Sequence, residues 1–311
     1  MDALAITRAP RPLGRSGLAA FPIAFGCWRL FGTAVTAARE RIEAALALGI
    51  DLFDHADIYG RDETGPHFGM AETVFGRVLA EAPRLRDRML LATKGGIAPG
   101  VPYDSSGAYL VAACEASLKR LGVDCVDLYQ IHRPDWLAHP ADTGAALAKL
   151  RESGKIRAVG VSNFTPAQFD ALQRHLPFPI ATHQPELSPF ELAPLRDGVL
   201  DQCLREGVAP LAWSPLAGGR LGLPVAAARR EPDGARLAAL LERLDALAAR
   251  EGVPRAAVAL AWLLAHPAGV IPIVGTQQPR RLAEAARAFD VRLSRQDWYD
   301  VVVASQGARM P

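Results

Sequence analysis

The sequence predicts an α/β protein, a (β/α)8 TIM barrel with an N-terminal β-hairpin. Eight short apolar runs rich in β-branched residues occur along the 311 residues, and a stretch with helical character follows each of them. Strands buried on both faces have this composition, so the pattern favours a closed parallel barrel. An open doubly wound sheet is the alternative, but no Gly-x-Gly-x-x-Gly segment follows any of the runs. No change of composition marks a linker, so we expect a single domain over residues 1–311.

The first segment, residues 1–20, predicts the hairpin. Pro10, Pro12, Gly14 and Gly17 punctuate short alternations of polar and apolar residues, which is typical of two short strands joined by a turn. We therefore expect a small hairpin ahead of the barrel.

Apolar runs and helical stretches then alternate along the chain. Thr36 is expected to cap the first helix, and Pro166 to take the first helical position after Thr165. A segment rich in Gly and Arg predicts a loop at 217–234. Strands are expected at 21–25, 50–53, 88–93, 126–131, 156–161, 180–183, 209–213 and 270–274. Helices are expected at 36–48, 70–79, 106–121, 141–152, 165–175, 195–206, 235–250, 254–266, 279–288 and 296–305.

The composition argues against several classes of partner and location. A formal net charge of +2 without a basic stripe argues against nucleic acid. The four cysteines are widely spaced, as expected for reduced thiols in a cytosolic protein. The amino terminus has no apolar run of signal-peptide length. His266, Pro267 and Pro272 interrupt the apolar segment 256–275, which predicts a buried helix and strand there. We expect no membrane span and a cytoplasmic location.

Polar and aromatic side chains follow the predicted strands where the strands end. The carboxyl ends of barrel strands converge on one mouth, and barrel enzymes carry their catalytic groups there. Scattered positions of the sequence thus become one predicted cluster. Its expected members are Trp28, Asp54, Tyr59, Lys94, His132, Ser162, Asn163, Gln184 and Trp213.

Four of these residues suggest proton delivery to an oxygen atom. A tyrosine has a pKa near 10, and a neighbouring positive charge such as Lys94 favours its phenolate form. A buried lysine in turn needs a carboxylate such as Asp54 to stay protonated. His132 can donate a hydrogen bond to the same substrate oxygen that Tyr59 protonates. The set fits reduction of a carbonyl to an alcohol, and because no side chain carries a hydride, a nicotinamide cofactor is implied.

The chain resembles the aldo-keto reductases over essentially its whole length. Its details are most similar to a bacterial oxidoreductase subgroup of that family. The motifs that carry the resemblance are Phe53-Asp54-x-Ala56-x-x-Tyr59-Gly60, Leu90-x-x-Thr93-Lys94, Asp127-Leu128-Tyr129-x-Ile131-His132, Gly160-Val161-Ser162-Asn163-Phe164 and Trp213-Ser214-Pro215-Leu216.

The resemblance implies a role for each residue that matches these motifs. Tyr59 would be the general acid, Lys94 and Asp54 its tuning pair, and His132 the orienting donor. Trp213 would stack on the nicotinamide ring, where many members of the family use tyrosine. The nicotinamide carboxamide would be held by Ser162, Asn163 and Gln184, and the pyrophosphate would be lined by Ser214, Leu216 and Gly218.

The segment after the last strand departs from the family pattern. It aligns with the segment that binds the adenosine 2′-phosphate, in which some members begin with a lysine. Gly275 stands in place of that lysine, and Ala285 in place of a frequent asparagine. Thr276 and Arg281 can still bind a phosphate. The resemblance therefore implies NADP(H), with NAD(H) as the less favoured cofactor.

Two other functions share this fold. A nicotinamide-binding regulatory subunit would keep the cofactor site without turnover, although the complete set of four polar residues argues for an enzyme. A metal hydrolase would need ligands such as His55, Asp57, His67 and His183. We expect no metal site, because His55-x-Asp57 is not a His-x-His pair and His183 should point away from the mouth beside Gln184.

The substrate pocket is expected to include Trp28, with Arg29, Trp136 and the segment after Asp290. This lining suits a moderately apolar small-molecule carbonyl compound. Aldehydes, ketones, sugars and cofactor precursors such as pyridoxal all stay open, and so does the oligomeric state.

Overall fold

A computed structural model describes residues 3–62, 65–66 and 68–310 of the chain. The described strands are β1 (Arg11–Pro12), β2 (Ala19–Ala20), β3 (Ala24–Gly26), β4 (Leu52–Asp54), β5 (Arg61–Asp62), β6 (Gly65–Pro66), β7 (Leu90–Gly95), β8 (Val126–Ile131), β9 (Ile156–Ser162), β10 (Thr182–Gln184), β11 (Ala209–Ala212) and β12 (Ile271–Val274).

Eight of these strands form a closed barrel in the order β10-β11-β12-β3-β4-β7-β8-β9. Every pair of neighbouring strands in the barrel is parallel. Each barrel strand consists of residues buried in the structure, apart from a few positions at strand starts. The predicted (β/α)8 barrel is therefore confirmed, together with the burial that its apolar runs suggested.

The N-terminal hairpin is also confirmed, and it packs against the barrel interior. Strands β1 and β2 pair antiparallel, with Arg11 opposite Ala20. Leu13 and Leu18 are buried in a cluster with alanine, leucine and isoleucine side chains of the barrel strands. The turn approaches the barrel so closely that a Cβ on Gly14, whose φ is 58°, would lie 2.5 Å from the carbonyl oxygen of Ala181. Only glycine suits this position.

The helices alternate with the barrel strands and cover them. Those described are α1 (Val35–Ala47), α2 (Met70–Glu81), α3 (Gly107–Leu121), α4 (Pro140–Glu152), α5 (Pro166–Gln173), α6 (Val199–Glu206), α7 (Val225–Ala228), α8 (Gly234–Glu251), α9 (Arg255–Leu264), α10 (Pro279–Ala286) and α11 (Arg295–Gln306).

Sequence signals located some helix starts correctly and one incorrectly. Thr165 caps α5 in a capping box with Gln168, and Pro166 is the first helical residue, as predicted. The expectation that Thr36 caps α1 was wrong. The first helical bond runs from the Ala38 amide to the Ala34 carbonyl at 2.9 Å, so Thr36 lies inside the first turn.

The predicted loop at 217–234 contains regular structure. A 3-10 helix spans Ala217–Gly222, and α7 follows it. Gly218 and Gly219 take positive φ values of 65° and 99°, which lets the chain turn sharply after β11. Buried Leu221 anchors this segment to the core, so the turn is packed although its composition suggested a loop.

The apolar segment 256–275 divides into most of helix α9 and the whole of strand β12, as predicted. Helix α9 also holds the last helix in place. Trp262 of α9 stacks on Trp298 of α11 with ring centroids 4.8 Å apart, and each indole N–H donates to the other residue's carbonyl. Within the described part of the chain, no helix is both long and apolar enough to cross a membrane.

Candidate active site

The four polar residues predicted from strand ends meet at one end of the barrel. Asp54 is the last residue of β4, and Lys94 is the penultimate residue of β7. His132 follows β8 directly, and Tyr59 lies five residues after Asp54. The carboxyl ends of the strands thus bring together side chains that lie far apart in the sequence.

Lys94 is the centre of the cluster. Its Nζ donates to Asp54 Oδ2 at 2.7 Å, to the His55 carbonyl at 2.8 Å and to Tyr59 Oη at 3.1 Å. The side chain is fully buried, and that of Asp54 is 3% exposed. All three ammonium protons therefore have an acceptor, which offsets the cost of removing the charge from water.

The charges of the cluster fix the protonation of its amine and phenol. Burial lowers the pKa of Lys94, but Asp54 and Tyr59 act in the opposite direction and leave the pKa above its usual 10.5. Burial raises the pKa of Tyr59 above 10.0, and Lys94 offsets only part of this rise. The sequence suggested that Lys94 would favour the phenolate, whereas the depth of burial outweighs that effect. Tyr59 is therefore a protonated phenol beside a protonated amine.

His132 is a neutral hydrogen-bond donor beside the phenol. Its ring centroid lies 6.0 Å from that of Tyr59, with the rings at 82°. Burial, followed by the charges of Lys94 and Arg133, holds the pKa of His132 well below 6.5. Its Nδ1 is buried and finds no hydrogen-bond partner within residues 3–62, 65–66 and 68–310. A phenol and an imidazole N–H so arranged can both donate to one substrate oxygen.

The residues predicted to hold a nicotinamide carboxamide form a hydrogen-bonded chain. Ser162 Oγ donates to the Gln184 carbonyl at 2.8 Å, and Asn163 Nδ2 donates to Ser162 Oγ at 2.7 Å. Trp213 Nε1 donates to Asn163 Oδ1 at 2.9 Å. The side-chain Nε2 of Gln184 donates to Asp54 Oδ1 at 3.0 Å, so the side-chain oxygen is the atom that could hold a carboxamide.

The backbone beyond Trp213 leaves room for a ligand. Ser214 has a φ of 50°, and Gly218 and Gly219 also lie in the left-handed region. A Cβ built on either glycine would meet no atom within 4 Å, so a group can approach this stretch of main chain closely. Leu216 lies inside the same turn, where its carbonyl accepts from Gly219 N at 2.9 Å. An open turn next to a flat indole fits a dinucleotide with a ring and a pyrophosphate.

The remaining predicted contacts lie on the neighbouring βα turns. Trp28 is 50% exposed, in the 3-10 helix that follows β3. Thr276 and Arg281 lie in the turn after β12 and on α10. Arg29, also expected in the substrate pocket, lies with its guanidinium carbon 5.3 Å from the centre of the Trp28 ring and donates from Nη1 to the Gly275 carbonyl at 3.3 Å.

His55 and His183, two of the residues considered as metal ligands, lie apart from the cluster's open side. The ring of His55 packs edge-on against Phe75 at 4.5 Å, and burial lowers the pKa of His55 to about 3. His183 stacks on Phe169 at 6.1 Å and points away from the mouth, as its place beside Gln184 suggested. His67 lies outside the described residues. Among those that are described, no three His, Cys, Asp or Glu side chains are grouped to hold a metal ion.

Comparison with known proteins agrees with this geometry. The profile of the Aldo/keto reductase family matches residues 22–304. The chain belongs to this family. A crystal structure of the thermostable aldo-keto reductase Tm1743 with the inhibitor epalrestat is similar at a TM-score of 0.79 and 26% identity, over 95% of this chain and 99% of that one.

Several relatives of this aldo/keto reductase are similar over nearly their full length. A protein named 6-dehydroglucose reductase from Novosphingobium aromaticivorans is 50% identical over 100% of both chains. A second protein of that name, from Agrobacterium fabrum, is 39% identical over 92% of this chain and 94% of its own. Oxidoreductase YdhF of Escherichia coli is 38% identical over the same shares. These names support an oxidoreductase.

Gln130 contacts the candidate site, and sequence reasoning missed it. It lies on β8 with no exposed surface, and its Nε2 donates to Asp54 Oδ1 at 3.2 Å. Its Oε1 accepts from Thr182 Oγ1 at 3.2 Å. Gly160 makes room for this contact, since a Cβ there would lie 2.1 Å from Thr182 Oγ1. Strand alternation from Gln130 towards His132 suggests that both side chains point the same way, but it does not reveal the contact with Asp54.

A second missed network holds the main chain that carries Lys94. Glu72 of α2 is fully buried; its Oε1 accepts from Thr93 Oγ1 at 2.5 Å and its Oε2 from Arg120 Nε at 2.7 Å. The Asp57 amide donates to the Lys94 carbonyl at 3.0 Å. Burial, then the charge of Glu72, raises the pKa of Asp57 well above 3.8.

Replacing Gln130 with methionine should impair both stability and turnover. Asp54 loses one donor and Thr182 loses its acceptor, while side-chain length is kept. We expect the free energy of unfolding to fall by about 1–3 kcal/mol and kcat/KM by about tenfold. Urea unfolding and steady-state kinetics measure the two effects.

Gln202→Met is the matched control for this substitution. Gln202 is 1% exposed, and its Nε2 donates to Asp170 Oδ1 at 2.7 Å, between α5 and α6 and outside the barrel. It should lose similar stability with unchanged kcat/KM. Equal kcat/KM in the two variants would show that Gln130 matters for stability alone.

Proposed function

We propose that this aldo/keto reductase reduces an aldehyde or ketone to an alcohol, with NADP(H) as cofactor and Tyr59 as proton donor. The contact that carries the proposal is Lys94 Nζ, 2.7 Å from Asp54 Oδ2 and 3.1 Å from Tyr59 Oη. It joins a buried ion pair to the phenol of Tyr59, whose ring packs against that of His132.

Each residue of the cluster has a part in the reaction. Tyr59 donates its proton to the carbonyl oxygen, and His132 orients that oxygen through its N–H. Lys94, kept charged by Asp54, stabilises the negative charge that develops as the proton leaves. When bound, the reduced nicotinamide supplies the hydride for the carbonyl carbon. No part of this scheme needs a metal ion.

The cofactor would be held by residues on four neighbouring strand ends. Its proposed contacts are Ser162, Asn163 and the Gln184 side-chain oxygen for the carboxamide, Trp213 for the ring, Ser214, Leu216 and Gly218 for the pyrophosphate, and Thr276 and Arg281 for the 2′-phosphate. The cationic Arg281 supports NADP(H) over NAD(H). The free thiols of the four cysteines support a cytoplasmic location.

The relatives named 6-dehydroglucose reductase narrow the substrate proposal. We extend that name to this chain and propose a glucose with a carbonyl group at carbon 6. Trp28, half exposed at the mouth, offers a flat apolar face against which one side of a sugar ring can pack.

A panel of carbonyl compounds tests the proposal. It should include the carbon-6 sugar aldehyde, simple aldehydes, ketones and pyridoxal, each with NADPH and with NADH, followed by absorbance of the reduced cofactor. We expect oxidation of NADPH with the sugar aldehyde at the highest kcat/KM, unchanged after dialysis against a chelator. Absence of turnover with every compound and both cofactors would argue for the regulatory alternative.

A further inference from the structure

The turn after β12 receives two guanidinium groups from the opposite side. Arg29 donates from Nη1 to the Gly275 carbonyl at 3.3 Å, and Arg41 of α1 donates from Nη1 to Gln277 Oε1 at 3.2 Å. This is the turn at which Gly275 takes the place of a lysine found in some reductases of the family. The guanidinium groups of Arg29 and Arg41 thus contact a turn that lacks the lysine of those relatives.

The charge of Arg41 has no carboxylate to neutralise it in the part of the chain that the structure describes. Its other acceptor, Thr33 Oγ1 at 2.9 Å, is neutral like Gln277. Arg39, two residues earlier, instead pairs with Glu43 at 2.8 Å. A partly buried arginine held only by neutral groups creates a positive potential that favours an anion.

The geometry of Arg41 leaves donors for that anion. Only its Nη1 donates to a protein group within the described residues, so Nε and Nη2 are available in the planar fork that suits phosphate. Gln277 itself is braced, because its Nε2 donates to the Gly275 carbonyl at 3.4 Å. The arginine is therefore positioned against the turn before any ligand binds.

We propose that Arg41 is a cofactor-specificity residue, whose guanidinium binds the 2′-phosphate monoester of NADP(H) in place of the absent lysine. The inference rests on the proposed function, since it requires a nicotinamide dinucleotide at this mouth. Thr276 and Arg281 would bind other oxygens of the same phosphate. A Cβ on Gly275 would meet no atom within 4 Å, so no protein group fills the space that a lysine side chain would enter. Arg41 of α1 would supply the positive charge in place of that lysine.

Binding of NADPH and NADH to the full chain tests this role without turnover. Quenching of tryptophan fluorescence gives Kd for each dinucleotide in the wild-type protein, Arg41→Gln and the control Arg39→Gln. We expect Arg41→Gln to raise Kd for NADPH by about 10- to 100-fold, the range for lost charge-assisted hydrogen bonds, and to leave Kd for NADH unchanged. Arg39→Gln should change neither constant.

A second variant separates phosphate binding from a structural effect. Adding Gly275→Lys to Arg41→Gln should restore most of the NADPH affinity, because a cation returns to the turn. If Arg41→Gln leaves the ratio of Kd for NADPH to Kd for NADH at its wild-type value, the inference is overturned, even where both constants rise equally. The proposed function is not affected by that result. A wild-type protein that binds neither dinucleotide overturns the proposed function and this inference with it.

Discussion

Tyr59→Phe is expected to lower kcat for carbonyl reduction by at least about 100-fold, the usual loss when an acid catalyst is removed. The substitution deletes only the hydroxyl oxygen, which accepts from Lys94 Nζ at 3.1 Å. The ring stays, so the packing against His132 is kept. Kd for the reduced cofactor should stay about the same, since no proposed cofactor contact involves this hydroxyl.

Steady-state kinetics and fluorescence titration measure the two quantities on the same preparation. Tyr109→Phe is the matched control, because it also removes a hydroxyl, one that donates to the Ile97 carbonyl at 3.2 Å and lies outside the cluster. It should leave kcat unchanged. Turnover preserved in Tyr59→Phe would refute the role of the phenol, and cofactor binding without turnover in the wild-type protein would favour a regulatory subunit.

The order of the barrel elements could be predicted because apolar runs and helical stretches alternate, but the strand ends could not. The apolar run before Lys94 suggested a strand at 88–93, whereas β7 spans Leu90–Gly95. Gly95 pairs with Ile131 of β8, and this pairing extends β7 beyond its predicted end. Pairing with the neighbouring strand decides where a strand ends, and pairing depends on register rather than on composition.

The four catalytic candidates could be located because each follows an apolar run and a barrel gathers its strand ends. Gln130 could not, because a polar residue inside such a run looks like any strand residue. Its partners Asp54 and Thr182 lie 76 and 52 residues away in the chain. Closure of the barrel creates the contacts of this network, so they could not be predicted from the sequence.

The direction in which the pKa of Tyr59 shifts could not be predicted from the sequence either. The sequence places a lysine near the phenol and so suggested a more acidic hydroxyl. Burial raises the pKa by more than Lys94 lowers it, and burial is a property of the folded chain rather than of the local sequence. A phenol that keeps its proton until a substrate oxygen accepts it suits a general acid in the reducing direction.

Lys94→Met should damage stability as well as turnover. The ammonium is fully buried and bonds the carboxylate of Asp54, whose side chain is 3% exposed. Removing one partner leaves the other charge buried without its counter-ion, and such a loss costs about 3–5 kcal/mol. Urea unfolding should show this decrease in the free energy of unfolding. Lys155→Met, which breaks a surface pair with Glu115, should cost only about 0–1 kcal/mol.

The double variant Asp54→Asn with Lys94→Met separates the two effects of the lysine. Both charges are then absent, so most of the lost stability should return, because an uncharged buried pair has no desolvation penalty to offset. The amide that replaces the Asp54 carboxylate keeps an oxygen that can accept from Gln130 and Gln184. Turnover should stay as low as in Lys94→Met, since the phenol still lacks its cation. Recovery of kcat along with stability would mean that Lys94 only maintains the fold, and that the proton reaches the substrate without help from a buried charge.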